Sequence, residues 1–306
     1  MHTTETRAKV GPARAERAAS ADPEHVLFAT DGGDAGTGAL EWLARRAEQR
    51  RLDIDVLTVV ERDWTTIQLL EDVFRDAAEE VLDAAEAYLA RTAPSAEVRT
   101  AMFFGDARAE FANASANADL LLVGSNRTGA LSGMLGASFS TRLVEAGQCP
   151  VVVVPKTWRP GTGAVVVGVL GDGSDEAALR LAVDEATLLH RELRVIHVRD
   201  FPAMVPDALV EGAATAGLDA QGSLLSEVVD RIRTANPELL VRGILVEGHP
   251  AGALLREAEG AELLVVGRHG WRVMERFFIG SISRDIIARP PCPVAVVRPV
   301  PEDARQ

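Results

Sequence analysis

HVLFATDGGDAGTGAL runs from His25 to Leu40, and AVVVGVLGDGSDEAAL runs from Ala164 to Leu179. Laid over one another, both show a short apolar run, a turn of glycine and aspartate, and then an apolar pattern with helical spacing. Asp31 falls on Leu170 and Leu40 on Leu179, 139 positions on, and the same offset carries VLTV (Val56–Val59) onto VIHV (Val195–Val198). Further along, ADLLLVGSNR (Ala118–Arg127) falls on AELLVVGRHG (Ala261–Gly270), and CPVVVVP (Cys149–Pro155) on CPVAVVR (Cys292–Arg298), now at an offset of 143. The gain of four residues places a small insertion inside the second copy. A repeat of this length is a whole domain rather than a solenoid unit. The turn-forming cluster TWRPGTG, Thr157–Gly163, separates the copies.

Each copy alternates strand and helix. Short Val/Leu/Ile-rich runs predict strands near 25–30, 54–59, 97–103, 119–124 and 151–155, and near 164–169, 193–198, 240–246, 262–267 and 293–298. They are continuously apolar, as parallel strands buried on both faces are. Between them, EWLARRAEQR, EEVLDAAEAYLA, AALRLAVDEATLL and LLSEVVDRIR space their apolar residues by three and four. The expected fold is therefore α/β: two tandem doubly wound domains, 24–157 and 163–300, each a five-stranded parallel sheet with helices on both faces. Such sheets bind ligands beyond the carboxyl ends of their strands. VVVVP and VAVVR, as last strands, would be exposed apolar edges. Either they pair with each other inside one chain, or each is covered by its own helices.

The net charge of −13 over 306 residues argues against nucleic-acid binding, which needs a basic surface. Cys149 and Cys292, with no CxxC, read as two buried thiols in a reducing compartment. No apolar stretch is long enough to span a membrane, and residues 1–23 read as a flexible tail rather than a signal peptide, so a cytoplasmic protein is expected. The only lysines, Lys9 and Lys156, stand near no glycine loop, which excludes a Walker A site. GDGSDE (Gly171–Glu176) lacks the third glycine of a dinucleotide fingerprint and reads as a loop with a helix cap.

VGRHGWRVMERFFIGSIS, Val266–Ser283, is the stretch richest in chemistry. Gly267 ends a strand, Gly270 permits a turn free of Cβ, and Gly280 and Ser281 open the helix SISRDIIAR, which Ser281 or Ser283 can cap. A helix start offers unpaired amides and partial positive charge, which suit phosphate. The bland alternative is that these glycines only make turns. Their position after a parallel strand, on the ligand edge, favours phosphate.

The spacing G-x2-G-x9-G-S, followed by CPV, resembles the universal stress protein family, and the likeness extends over nearly all of residues 24–300. The resemblance implies a five-stranded parallel α/β domain, dimeric or tandem, whose glycine-motif members bind ATP or AMP. It implies that an aspartate after the first strand contacts the nucleoside, a valine ending the second strand meets adenine, and the glycine motif takes the phosphates. The second copy supplies Val198, Gly267, Gly270, Gly280 and Ser281, with Leu170 in the aspartate's place and Asp172 two residues on as a substitute. The first copy keeps Asp31, Val59, Gly124 and Ser138 but has Arg127 and Ala137 where glycines belong. The expected function is a stress-response regulator that binds ATP or AMP, with or without Mg, chiefly in the second copy, and is not an enzyme. A homodimer and an unidentified protein partner are expected; nucleic acid and membrane are not. Two rivals remain: a slow ATP hydrolase using Asp31 or Asp172, and a nucleotide-free interaction module.

Other residues carry two readings each. His269 could touch phosphate or be solvated, and His197 reads as a packed strand residue. His25, His190 and His249 show no partner in the sequence. Arg268, Arg272 and Arg276 form either a phosphate-steering patch or a solvated face, and residues 199–217 either a lid or a surface loop.

Overall fold

β1 (Glu24–Ala29) is buried from His25 onward, as a central strand covered on both faces must be. In the computed structural model, which describes residues 22–61, 67–125, 139–171, 173–199, 222–268 and 280–299, the chain continues through α1 (Gly36–Ala47), β2 (Leu52–Glu61), α2 (Ile67–Thr92), β3 (Glu97–Gly105), α3 (Ala107–Ser115), β4 (Leu120–Ser125), α4 (Phe139–Ala146) and β5 (Val151–Pro155). The second copy repeats the plan: β6 (Val165–Val169), α5 (Glu176–Leu189), β7 (Leu193–Arg199), α6 (222–235), β8 (Val241–Glu247), α7 (Pro250–Glu257), β9 (Leu263–Gly267), α8 (Ser281–Ala288) and β10 (Val294–Val297). The tail at 1–21 and most of the 199–217 segment lie outside the described residues. No helix among the described residues is long and apolar enough to cross a membrane.

The ten strands form one sheet in the order β3-β2-β1-β4-β5-β10-β9-β6-β7-β8. Pairing is parallel within each copy and antiparallel between β5 and β10. Of the two possibilities for the valine edges, the first holds: they pair with each other. The register places Val152 opposite Ala295, which is its own equivalent in the repeat, while Val151 faces Val296 and Val153 faces Val294. A pseudo-two-fold axis therefore passes between Val152 and Ala295, the arrangement of an isologous dimer made within one chain.

Two apolar cores lie on the sheet's two faces and run through both copies. One holds Trp42, Leu43 and Leu89 of the first copy with Leu179, Ala182 and Ile232 of the second, and the other holds Phe111 and Leu143 with Leu254 and Ile287. Cys149 and Cys292 are buried thiols that form no disulfide, and burial pushes the Cys292 thiol up to about 12. His197 packs in the core with Nδ1 3.1 Å from the Val169 carbonyl.

The amino edge of the sheet holds the charges that the sequence left unpartnered. His25 lies with Nδ1 3.0 Å from the Asn117 carbonyl and Nε2 2.6 Å from Asp55 Oδ2. Both neighbours are acceptors, so the ring fits this place as the doubly protonated cation. Burial pushes the Asp55 carboxyl up, but hydrogen bonds and charge from His25 and Arg99 outweigh it and hold the group low. Glu24 is likewise pushed up by burial and held low by Arg46 and Arg50. A carboxyl whose pKa falls on folding stabilises the fold above its unfolded value, near 4, and loses that contribution as pH drops through its folded value. Glu262, whose carboxyl burial pushes up, acts in the opposite direction. Thermal midpoints followed from pH 6 to pH 3 are expected to fall less steeply below about pH 4 in Glu24→Gln than in wild type. Parallel curves would remove Glu24 from this account.

Candidate functional site at the carboxyl edge

In the first copy, the ends of β1 and β4 and the starts of α1 and α4 converge. Thr30, Asp31, Gly36, Gly124 and Ser140 are among the residues that line a cleft of about 160 Å³. This is smaller than ordinary ligand pockets. Asp31 Oδ1 accepts the Gly33 amide at 2.9 Å, and Thr30 Oγ1 accepts the Gly32 amide at 3.2 Å, so the turn organises itself. The structure brings Asp31 and Gly124 together. Val59 stands on β2, paired with Phe103, and is not among the lining residues. Ser138, Arg127 and Ala137 lie outside the described residues.

In the second copy, Val198 sits one residue before the end of β7, Gly267 ends β9, and Gly280 precedes α8. Asp172, His269, Gly270, Arg272 and Arg276 lie outside the described residues. The expected serine cap is absent. Gly280 is the N-cap residue and no side chain caps the helix. Ser283 instead donates from Oγ to the Gly267 carbonyl at 2.8 Å, and the Gly280 amide donates to the Arg268 carbonyl at 2.9 Å. These two bonds stitch the helix start to the strand end, so the Gly280 amide is not available to a ligand. The amides of Ser281, Ile282 and Ser283 point out of the first turn, where a helix supplies no acceptor, and none is found among the described residues.

Gly124 and Gly267 occupy the same place in the repeat for different reasons. A Cβ at Gly124 would come within 1.9 Å of the Ala35 carbonyl oxygen, because the start of α1 lies against the strand end. A Cβ at Gly267 meets nothing within 4 Å among the described residues. Packing forces the first glycine; the second meets no such obstacle among the described residues.

Two sequence readings need correction, the arginine patch at Arg268 and the helix cap in GDGSDE. Arg268 neither steers phosphate nor lies on a solvated face: it is 1% exposed, and its Nη1 donates across the copy boundary to the carbonyls of Glu145 at 3.1 Å and Val144 at 3.4 Å, at the end of α4. Burial and then the charge of Arg298 pull its guanidinium down to about 10, which still leaves it cationic at neutral pH. Asp175 stands at the N-cap of α5 without capping it. Its Oδ2 reaches back to accept the Leu170 and Gly171 amides at 2.7 and 2.8 Å, so this loop already holds a carboxylate. Leu170, in the aspartate's place, leaves its side chain 37% exposed. Nothing in one sequence distinguishes a capping aspartate from one that reaches backwards.

The repeat, the sheet order and the glycine-bearing strand ends can now be set against known proteins. The profile of the Universal stress protein family matches residues 23–155 and again 162–298. The chain belongs to the universal stress protein family. Two universal stress proteins of Mycobacterium tuberculosis, Rv1996 and Rv2005c, are each 27% identical to it, over 307 and 287 residues. The alignments cover 91% and 89% of this chain and 96% of each relative. A solved universal stress protein from Archaeoglobus fulgidus has the same fold, with a TM-score of 0.67 and 23% identity over 90% of this chain and 98% of that one. In this universal stress protein, then, the tandem copies share a fold but present different carboxyl edges. The described residues contain no group of three His, Cys, Asp or Glu side chains placed to hold a metal ion.

Proposed function

We propose that the chain is a cytoplasmic stress-response regulator that binds ATP or AMP without turning it over, chiefly in the domain spanning 163–300. The amides of Ser281, Ile282 and Ser283, which find no acceptor among the described residues, carry this reading, and the strand end at Gly267, to which Ser283 ties that helix start, has no described atom within 4 Å of where a Cβ would stand. They supply donors and partial positive charge for a phosphate chain, with Mg accompanying ATP. Gly270 completes the phosphate turn, Gly280 admits the helix start close to the strand, the Val198 main chain takes adenine, and Asp172 replaces the missing ribose contact. In the domain spanning 24–157, Asp31, Val59, Gly124 and Ser138 form a lesser site, with Arg127 in the sequence position of the second domain's Gly270. Because β5 and β10 already pair within the chain, a homodimer would use another surface.

A specific observation favours one rival, the nucleotide-free interaction module: Asp175 places a carboxylate on the loop amides of the second copy. The melting midpoint decides between them. At a nucleotide concentration about one hundred times Kd, bound ligand adds about 2.7 kcal/mol, which raises the midpoint by roughly 5–10 °C. The rise is expected with ATP or AMP in wild type and is expected to vanish in Gly270→Arg, which copies the first domain's arginine into the second. A midpoint indifferent to millimolar nucleotide supports the module.

A further inference from the structure

The pseudo-two-fold axis between Val152 and Ala295 has a charged counterpart on the α1–α5 face of the sheet. Arg46 of α1 is 5% exposed and donates to both carboxylate oxygens of Glu185 on α5, from Nη1 at 2.8 Å and from Nη2 at 2.6 Å. Arg46 and Glu185 stand 139 positions apart, the offset of the repeat in this region, so each is the other's equivalent. A residue on a two-fold axis meets its own copy. Were two first copies to pair through this face, Arg46 would meet Arg46; were two second copies to pair, Glu185 would meet Glu185. Either pairing sets like charges together in a buried place, where solvent screens them little.

Only the mixed pairing places opposite charges at the axis. Glu24, bound to Arg46 Nε and Nη2 at 2.6 and 2.8 Å, completes the site from the first copy's own β1. The Trp42 ring lies 4.8 Å from the Arg46 guanidinium carbon. The strand ladder itself does not discriminate, since β5 and β10 are both short valine-rich strands. We propose that Arg46 and Glu185 form a pairing code: this surface accepts the opposite copy of the same chain type and rejects its own kind, so the tandem pair closes on itself. The surface therefore fits one partner chemistry, a universal-stress-type domain with the complementary charge at the axis. This reading does not depend on nucleotide binding.

Full-length Arg46→Glu and Glu185→Arg chains test it. The first chain carries acid at both axial positions and the second carries base at both, so each is expected to melt on the order of 10 °C lower than wild type. Unfolded together and refolded as a mixture, they are expected to give a 1:1 heterodimer, visible by native mass spectrometry. In that heterodimer each copy of one chain pairs with the complementary copy of the other. If the single variants do not fold alone, recovery of soluble heterodimer only from the mixture supports the code as well. A mixture that behaves as the sum of its two components overturns the proposal. The doubly reversed R46E/E185R chain is expected to regain most of the lost midpoint as a monomeric pairing, and failure to regain any of it overturns the proposal too.

Discussion

Arg46→Ala is expected to lower the stability of the chain by about 3–5 kcal/mol, a loss typical of leaving buried charges without a partner. The substitution removes four charge-assisted hydrogen bonds at once, two to Glu24 and two to Glu185, at distances from 2.6 to 2.8 Å. It leaves two carboxylates facing one another. Arg50, 2.9 Å from Glu24 through Nη1, relieves only one of them, because it lies on the first copy's side. The Trp42 ring also loses its cation. The expected signature is a melting midpoint lower by roughly 10 °C, with unfolding that loses cooperativity between the copies. Arg46→Met, which keeps volume while removing charge, should be milder than alanine but should not restore the midpoint, since Glu185 remains buried. A midpoint within 2 °C of wild type for the alanine variant, or about 1 kcal/mol, would show that water replaces the guanidinium.

The second large effect is a contrast between two equivalent glycines. Gly124→Ala is expected to cost roughly 3 kcal/mol, the upper end for inserting a single methyl into a packed site, because the obstacle is the Ala35 main chain rather than a side chain that can rotate. Gly267→Ala is expected to leave stability within about 1 kcal/mol of wild type, on the favourable side, through the lower entropy of the unfolded chain. Urea denaturation of both variants measures the difference directly. Equal losses would mean that the open face at Gly267 is filled by the chain itself, and the phosphate reading would lose its support.

The architecture was legible because its signals are local and repeated. Ten apolar runs with helical patterns between them define the strands and crossovers, and the 139- and 143-residue offsets define the duplication. The joint between VVVVP and VAVVR was one of two readings of those apolar edges, and its antiparallel direction became visible only in the sheet. What could not be read were the directions of single polar side chains. Arg268 sits among exposed-looking arginines in the sequence, yet it crosses to the end of α4, a contact 123 residues away that no local pattern encodes. GDGSDE reads as a loop with a helix cap, yet Asp175 at its N-cap position closes the loop behind it. His25 has partners at Asn117 and Asp55 that only the sheet order brings near. The axial pair was present in the sequence, since Arg46 and Glu185 are repeat equivalents, but the offset acquires meaning only once the axis is located.

The most direct test of the central reading is a calorimetric titration of ATP and of AMP into wild type and Gly267→Val. The valine would add bulk at the end of β9, on the carboxyl edge where the nucleotide is proposed to lie, and its Cβ meets nothing within 4 Å among the described residues. The account predicts about one strongly bound nucleotide per chain in wild type and an affinity at least roughly tenfold weaker in the variant, equivalent to about 1.4 kcal/mol, with the ligand-free melting midpoint unchanged. Equal affinities in the two proteins would place the nucleotide elsewhere and contradict the account.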